Sequence, residues 1–308
     1  MELAKFPKMQ NLYNIDRYEG IWLCENVAIQ EKLHGTQGRI GFSKDGVTIG
    51  SRRSILSAEW TGQKDQFQVC SEIAIPVWEK LMREQTILDR NDITIFGEFV
   101  GPGIQKGIYY GDSRDFYAFD IVLINLEDGE KDWLSVLDLN TFCKLWGLNH
   151  VPLLGMFKPS MEKFNELYAG NSLIIPDADN NVIEGIVIKA YPMQYDLYGN
   201  PVYAKHKNDA WGETTKKFKE KEKYQTGEML PFLTEARILS AINVIKESEQ
   251  FNRSMSDMQY LPNIITKDII EEESMEIKDE KHFKALRRQL SKATAKMYKK
   301  MLLDATVV

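Results

Sequence analysis

The sequence EKLHGTQGRIGFSKDGVTIG, residues 31–50, is the most informative stretch of the chain. Apolar and polar residues alternate on both sides of Asp45-Gly46, and such a dipeptide between two alternating runs predicts a β-hairpin. Similar short β-branched or aromatic runs continue as far as Lys207, among them ITIFGEFV at 93–100 and NVIEGIVIKA at 181–190. Strands are therefore expected to dominate the chain between Ile21 and Lys207.

Helical patterns interrupt these strands and then replace them. The stretches 75–88 and 135–147 predict two helices within the strand-rich part, which is therefore mixed α and β. From Pro231 strand signals nearly vanish, and 231–251 and the last 25 or so residues predict further helices. A charged connector, KKFKEKEKYQTGE at 216–228, separates the two kinds of pattern. We predict an α+β fold with one domain at 1–225 and a small all-helical domain at 226–308.

The composition excludes several classes of protein. Hydrophobic residues make up 43% of 308 residues and charged residues 27%, which is ordinary globular usage and argues against wholesale disorder. No stretch approaches the roughly 18 consecutive apolar residues that a membrane span needs. Cys24, Cys70 and Cys143 are isolated and form no CxxC pair, which argues against a disulfide framework or a cysteine zinc site and suits a reducing compartment.

The net charge of -6 hides a steep local asymmetry near the C-terminus. Residues 268–280 carry seven acids and one lysine, whereas residues 281–300 carry eight Lys or Arg and no acid. Apolar residues in the basic segment recur every three or four positions and predict an amphipathic helix, namely Phe283, Leu286, Leu290, Ala293, Met297 and Met301. Two interpretations of its basic side remain open: a solvated helix face, or a surface that follows phosphates.

Two glutamates stand inside apolar, strand-like runs. An ionised carboxylate is costly at Glu98 or Glu184 unless it is paired, hydrogen-bonded or bound to a metal. Both a functional site and a buried salt bridge to a lysine satisfy that condition. Further along, AKHKN at 204–208 would place Lys205 and Lys207 on one face of a strand and His206 on the other.

The order of the short motifs is more specific than any one of them. In chain order they are Lys32-Leu33-His34-Gly35, Ser51-Arg52-Arg53, Gly97-Glu98, Phe119-Asp120, Glu184 through Lys189, and Lys205-His206-Lys207. This series resembles the nucleotidyltransferase signature shared by ATP-dependent ligases and messenger-RNA capping enzymes. The form Glu-Lys-x-His-Gly-Thr is similar to the RNA ligase 2 family, which includes the kinetoplastid RNA-editing ligases. Gln37 departs from the asparagine expected there and puts one substrate contact in doubt.

The resemblance implies a nucleotidyltransferase domain of antiparallel sheets with flanking helices. The implied activity is ATP-dependent RNA ligation of 5'-phosphate and 3'-hydroxyl ends, at nicks in duplex RNA, through a lysyl-AMP intermediate and an adenylylated 5'-end. The expected cofactors are ATP and Mg²⁺ or Mn²⁺, and the expected partner is an RNA end or nicked duplex. We further expect a monomer without membrane attachment, in the cytoplasm or inside a host cell if the origin is a phage or virus.

The resemblance also assigns roles to residues. Lys32 would be the nucleophile, with Lys205, Lys207 and Glu184 as the other catalytic groups and Glu184 also as the metal ligand. Residues expected to bind the nucleotide are Glu31, Lys32, Glu98, Phe119, Lys189, Lys205 and Lys207. His34 and Arg52 would hold the 5'-phosphate of the substrate, although His34 as hydrogen-bonded loop structure remains an equal alternative.

Two details stay open. Tyr117 shares a strand face with Phe119, so either ring is a candidate to stack on adenine. Strict alternation places Glu184 and Lys189 on opposite faces unless the strand bulges or bends.

The alternatives are a DNA ligase or capping guanylyltransferase, or an inactive protein that binds nucleic-acid ends. The first two usually carry a strand-rich OB-fold after the last lysine motif, and the helical pattern after Pro231 argues against it. The presence of Lys32, Glu184, Lys205 and Lys207 together argues against the inactive protein.

Overall fold

Two five-stranded sheets form the framework of the N-terminal part of the chain. The computed structural model describes residues 3–15, 20–57, 64–84, 87–196, 199–208, 229–248, 250–273, 275, 277 and 279–303. It divides into two compact units, Met1–Asn208 and Asp209–Val308. The domain boundary predicted between residues 225 and 226 lies outside the described residues and stays a prediction.

The strands of the first unit, in chain order, are β1 (Gln10–Asn11), β2 (Asn26–Lys32), β3 (Thr36–Ser43), β4 (Gly46–Ser51), β5 (Asn91–Val100), β6 (Asp115–Asn125), β7 (Lys131–Trp133), β8 (Leu153–Phe157), β9 (Gly185–Tyr191) and β10 (Tyr203–Lys207). One sheet has the order β1-β10-β9-β2-β8 and the other β4-β3-β5-β6-β7. Within each sheet, neighbouring strands pair antiparallel, except that β1 and β10 pair parallel. The predicted mixed α+β fold with antiparallel sheets is confirmed.

The predicted hairpin is present, with its turn one residue earlier than expected. Strands β3 and β4 pair from Gly38 opposite Ser51 to Ser43 opposite Gly46, so Lys44-Asp45 forms the connection. Gly46, with φ +141, already belongs to β4. The predicted turn at Asp45-Gly46 was therefore wrong by one residue, because the glycine pairs with Ser43 as the first residue of the returning strand.

Three helices accompany the sheets: α1 (Lys64–Glu84), α2 (Val136–Trp146) and α3 (Met161–Tyr168). Helix α2 agrees with the predicted span 135–147, because Ser135 caps its first turn and Gly147 ends it with φ 75. Helix α1 begins eleven residues before the predicted start at 75 and continues through Pro76. Helices α1 and α2 contribute Cys70, Ala74, Val77, Leu81, Leu139, Phe142, Cys143 and Trp146 to a core that also holds β3 and β5 residues.

Alternation along β2 decides which side chains lie in the site. Val27 and Ile29 pack with Ile186 and Ile188 in the core under α3, so Lys32 lies on the opposite face. That face is directed toward the second sheet, because Lys189 on β9 pairs with Asp120 on β6.

The described elements of residues 229–303 are helical. The helices are α4 (Glu235–Glu247), α5 (Leu261–Glu272) and α6 (Glu280–Leu303), and their apolar faces pack together. Helix α4 is shorter than the predicted 231–251, since Thr234 caps it, and α5 was not predicted. Leu286, Leu290 and Met301 are buried as expected on α6, and Tyr298 is buried although sequence reasoning missed it.

The basic side of α6 is exposed. Lys284, Arg288, Lys292, Lys296 and Lys299 are exposed, whereas Arg287 is half-buried. The exposed cations recur at intervals of three and four and form a stripe along the helix. We call these five side chains the basic stripe. Across the described residues, no helix is both long and apolar enough to traverse a bilayer.

Candidate active site

Lys32 ends β2 and lies beside the start of β9. It pairs in register with Gly185, and its Nζ donates to Glu184 Oε2 at 2.7 Å. A Cβ at Gly185 would lie 2.2 Å from the carbonyl oxygen of His206, so a larger residue there would push β10 away. The close approach of β9 and β10 brings Lys207, at the end of β10, opposite Gly185, the residue that pairs with Lys32.

Glu184 is surrounded by basic side chains from two parts of the chain. Besides Lys32, Lys207 Nζ lies 3.4 Å from its Oε1 and His34 Nδ1 lies 3.4 Å from its Oε2. Burial raises the pKa of Glu184, but Lys32, Lys207 and His34 together outweigh it and hold the pKa well below 4.5. The carboxylate is therefore ionised at neutral pH. Glu184 forms a buried salt bridge whose partners, Lys32 and Lys207, are the lysines expected to be catalytic, so both possibilities left by the sequence stay open.

Glu98 fixes the loop that follows Lys32. The Gly35 backbone N–H donates to Glu98 Oε1 at 3.0 Å. A Cβ at Gly35 would lie 2.3 Å from the carbonyl oxygen of Phe99, so this approach requires glycine. Burial raises the pKa of Glu98 to about 7, with Lys32 opposing that change and Glu184 adding to it. A carboxyl that changes charge near neutral pH thus adjoins the loop that follows Lys32.

The alternation predicted for residues 205–207 is confirmed. Strand β10 covers Tyr203–Lys207, and Lys207 reaches Glu184. His206 lies on the other face, where its ring stacks on Tyr168 with 4.6 Å between centroids. Lys205 is 8% exposed and shares the face of Lys207.

Lys189 lies farther along the same face. It pairs with Ala28, about 13 Å along the sheet from the Lys32 position. Its Nζ donates to Asp120 Oδ2 at 2.8 Å and to the Phe119 carbonyl oxygen at 2.6 Å. Burial lowers the pKa of Lys189, and Asp120 partly restores it. The expected phosphate contact of Lys189 stays a prediction, because the described structure holds this amine against β6.

The strict alternation that would place Glu184 and Lys189 on opposite faces does not apply in the structure. Strand β9 begins at Gly185, so Glu184 precedes the alternating residues. A second irregularity lies in β6, where Gly97 pairs with Ala118 and Phe96 with Asp120. Phe119 is therefore the extra residue of a β-bulge. It is half-buried, as is Tyr117, so the choice of stacking ring stays open.

Glu31 and Arg52 are placed differently from the other predicted residues. Glu31 lies on the face of β2 opposite Lys32, and its Oε2 accepts from the Leu173 backbone N–H at 2.9 Å. Its carboxylate is therefore outside the Lys32 cluster, and its expected contact with the nucleotide stays a prediction. Arg52 is exposed just after β4 ends at Ser51, and its charge slightly opposes the burial that raises the pKa of Glu98.

Comparison with known proteins identifies the family. A family model described as RNA ligase matches residues 25–207, more than half of the chain and every motif named above. The chain belongs to the RNA ligase family.

Solved structures similar to this RNA ligase family member include several of the Naegleria gruberi RNA ligase. A mutant with AMP and Mn is 20% identical, with a TM-score of 0.50, and covers 68% of this chain and 57% of that one. An apo mutant is 19% identical, with a TM-score of 0.49, covering 68% and 56%. The form with PPi is 20% identical, with a TM-score of 0.48. The chain spans less than two thirds of those proteins' length, and the match with a TM-score of 0.50, at 20% identity, shows the fold alone.

Sequence reasoning missed three residues in or near the Lys32 cluster. Gln30 lies on the Lys32 face with 1% exposure, and neither amide atom has a hydrogen-bond partner in the described part of the chain. Tyr110 Oη accepts from the His34 backbone N–H, and Asn181 Oδ1 accepts from the backbone N–H of the adjacent Tyr109. None of them stands in a recognised motif, so only the tertiary contacts reveal them.

Proposed function

We propose that this RNA ligase family member is an ATP-dependent ligase that joins 5'-phosphate and 3'-hydroxyl RNA ends through AMP attached to Lys32. One observation carries the proposal: the Lys32 amine lies 2.7 Å from an ionised carboxylate that also faces Lys207 and His34. A nucleophilic lysine must lose its proton near neutral pH. Lys205 and Lys207 favour the neutral amine by like-charge repulsion once ATP separates Lys32 from Glu184.

The first chemical step forms a bond between Lys32 Nζ and the α-phosphorus and releases pyrophosphate. Negative charge develops on the α-phosphate as the bond forms, and Lys205 and Lys207 lie on the correct sheet face to neutralise it. Glu184, an ionised carboxylate, is the type of oxygen ligand that Mg²⁺ and Mn²⁺ prefer. Within the described residues no cluster of three or more His, Cys, Asp or Glu could hold a metal by itself. A divalent ion, which would polarise the phosphates, is therefore expected to share its ligands with the nucleotide.

The nucleoside is proposed to extend from Lys32 toward Lys189. Glu98 would accept from a ribose hydroxyl, and Phe119 or Tyr117 would stack on the base. Gln30 pairs with Val187 in the row between Lys32 and Lys189, and its amide, which has no hydrogen-bond partner among the described residues, is suited to the base edge. An amide can serve either purine by rotating, so Gln30 alone does not explain a preference for ATP.

The later steps require nucleic acid. His34 and Arg52 are proposed to hold the 5'-phosphate, since bidentate recognition of phosphate suits arginine. The basic stripe of α6 is proposed to grip the duplex backbone at a nick. All matched motifs lie within residues 25–207, so we propose that a domain at 1–225 performs AMP transfer and that one at 226–308 contributes to RNA binding.

The helical C-terminal unit disfavours a DNA ligase or capping enzyme, whose OB-fold would supply strands. The described elements of residues 229–303 are helices. Monomeric state and intracellular location remain predictions, the first of which light scattering in solution would test.

The proposal is tested by two linked assays. Incubation with α-labelled ATP and Mg²⁺ should leave covalent label on the protein, and the labelled protein should seal nicked duplexes. Matched nicks with RNA or DNA on either side of the break would define the substrate, and RNA strands should be joined fastest. A protein that binds nicks without acquiring label would support the inactive end-binding alternative.

A further inference from the structure

The loop after Lys32 is held by a tyrosine from a distant segment. The His34 backbone N–H donates to Tyr110 Oη at 2.8 Å. Tyr110 is only 6% exposed, so this hydrogen bond is shielded from water. The position of the backbone two residues beyond the nucleophile therefore depends on where Tyr110 lies.

The residue before Lys32 is held by a second segment. Glu31 Oε2 accepts from the Leu173 backbone N–H at 2.9 Å. The adjacent Ser172 is fully buried, and its backbone N–H donates to the Asn181 carbonyl oxygen at 2.8 Å. The Glu31 carboxylate thus fixes β2 to the segment 172–181.

Asn181 joins the two segments. Its Oδ1 accepts from the Tyr109 backbone N–H at 2.7 Å, and its Nδ2 donates to the Tyr109 carbonyl oxygen at 2.8 Å. The oxygen and the nitrogen of the Asn181 side chain thus both bond to the backbone of Tyr109, as a paired strand residue would. Asn181 is 3% exposed. The hydrogen bonds and the chain between them form a closed ring from Glu31 through Ser172, Asn181 and Tyr110 to His34.

We propose that Tyr110 and Asn181 are positioning residues for the nucleophile. The ring fixes the backbone on both sides of Lys32, and so limits how far its amine can move from the line of attack on the α-phosphate. This inference rests on the proposed function, because it assigns a purpose to the position of Lys32. It also gives Glu31 a role in holding β2, from the face opposite Lys32.

Tyr110→Phe removes the acceptor for the His34 N–H and keeps the buried ring. We expect the maximal rate of AMP attachment to fall about tenfold, since small displacements of a reacting group cost rate. The KM for ATP should stay unchanged, because neither residue is placed against the nucleotide. Asn181→Ala should produce a similar loss, and the double variant should lose little more than either single variant because both open the same ring.

Tyr109→Phe is the matched control. Its hydroxyl bonds to Asp112 at 2.8 Å on the exposed surface, so its removal should leave rate and KM unchanged. Single-turnover labelling at several ATP concentrations, with a melting curve for each protein, compares the wild type with these four variants. A Tyr110→Phe protein that labels like wild type, or whose rate and KM change only as its melting temperature falls, would overturn the inference. Wild-type protein that acquires no label would overturn the proposed function itself.

Discussion

Glu98→Gln should change how stability depends on pH. In the folded protein the pKa of Glu98 rises from 4.5 to about 7, chiefly because the carboxyl is buried. Between those values the folded protein retains a proton that the unfolded chain releases, so stability falls as pH rises through this window. At about 1.4 kcal/mol for each pH unit, the wild type loses up to about 3 kcal/mol by pH 8. The Glu98 side chain is only half-buried, and solvent screens its charge, so this loss of stability is an upper value.

Glutamine keeps an oxygen for the Gly35 N–H but has no proton to lose. The variant should therefore gain stability over wild type between pH 5 and pH 8, while the two change in parallel below pH 4.5. Urea unfolding of both proteins at intervals from pH 4 to pH 9 measures the difference in their free energies of unfolding. Contributions from other titrating groups cancel in this difference. A difference that stays constant across this range would refute the assignment of Glu98 as a buried carboxyl that ionises near pH 7.

Three further predictions concern activity. Glu184→Ala and Lys207→Ala should fold normally by circular dichroism yet lose orders of magnitude in the rate of AMP attachment, because preorganised charges act mainly on the transition state. A near-wild-type rate in either variant would show that the substituted residue has only a structural role. ATP should label the protein faster than GTP at equal concentration, and comparable label from GTP would favour a capping-type enzyme. A chain ending near residue 228 should keep AMP attachment but lose most nick binding and sealing, with a milder loss for Arg287→Ala plus Arg288→Ala. If four cations of α6 contact phosphates, log affinity should fall with log salt at a slope of roughly -3.6, and a truncated protein that seals as well as the full chain would make α6 a solvated cap.

Local patterns identified most of the elements and the charged cluster. The ordered motifs led to Lys32, Glu184 and Lys207, which the fold brings within hydrogen-bond or ion-pair distance. Alternation along β10 also separated His206 from its neighbouring lysines, because a strand's period of two is a local property.

Features that depend on contacts between the two sheets, or on the register of neighbouring strands, were not predictable. Lys189 meets Asp120 across two sheets, and no sequence pattern specifies that pairing. The bulge at Phe119 and the start of β9 at Gly185 also required the registers of neighbouring strands. Helix α5 was missed because its sequence includes Pro262 and adjoins the acidic run, which obscures its apolar face.

The most direct test of the account is to locate the AMP on the protein. Wild-type protein incubated with ATP and Mg²⁺ should gain the mass of one AMP, and peptide mass spectrometry should place it on Lys32. Lys32→Ala should gain no AMP under the same conditions while keeping the wild-type melting profile. AMP found on another lysine, together with normal labelling of Lys32→Ala, would contradict the assignment of Lys32 as the nucleophile.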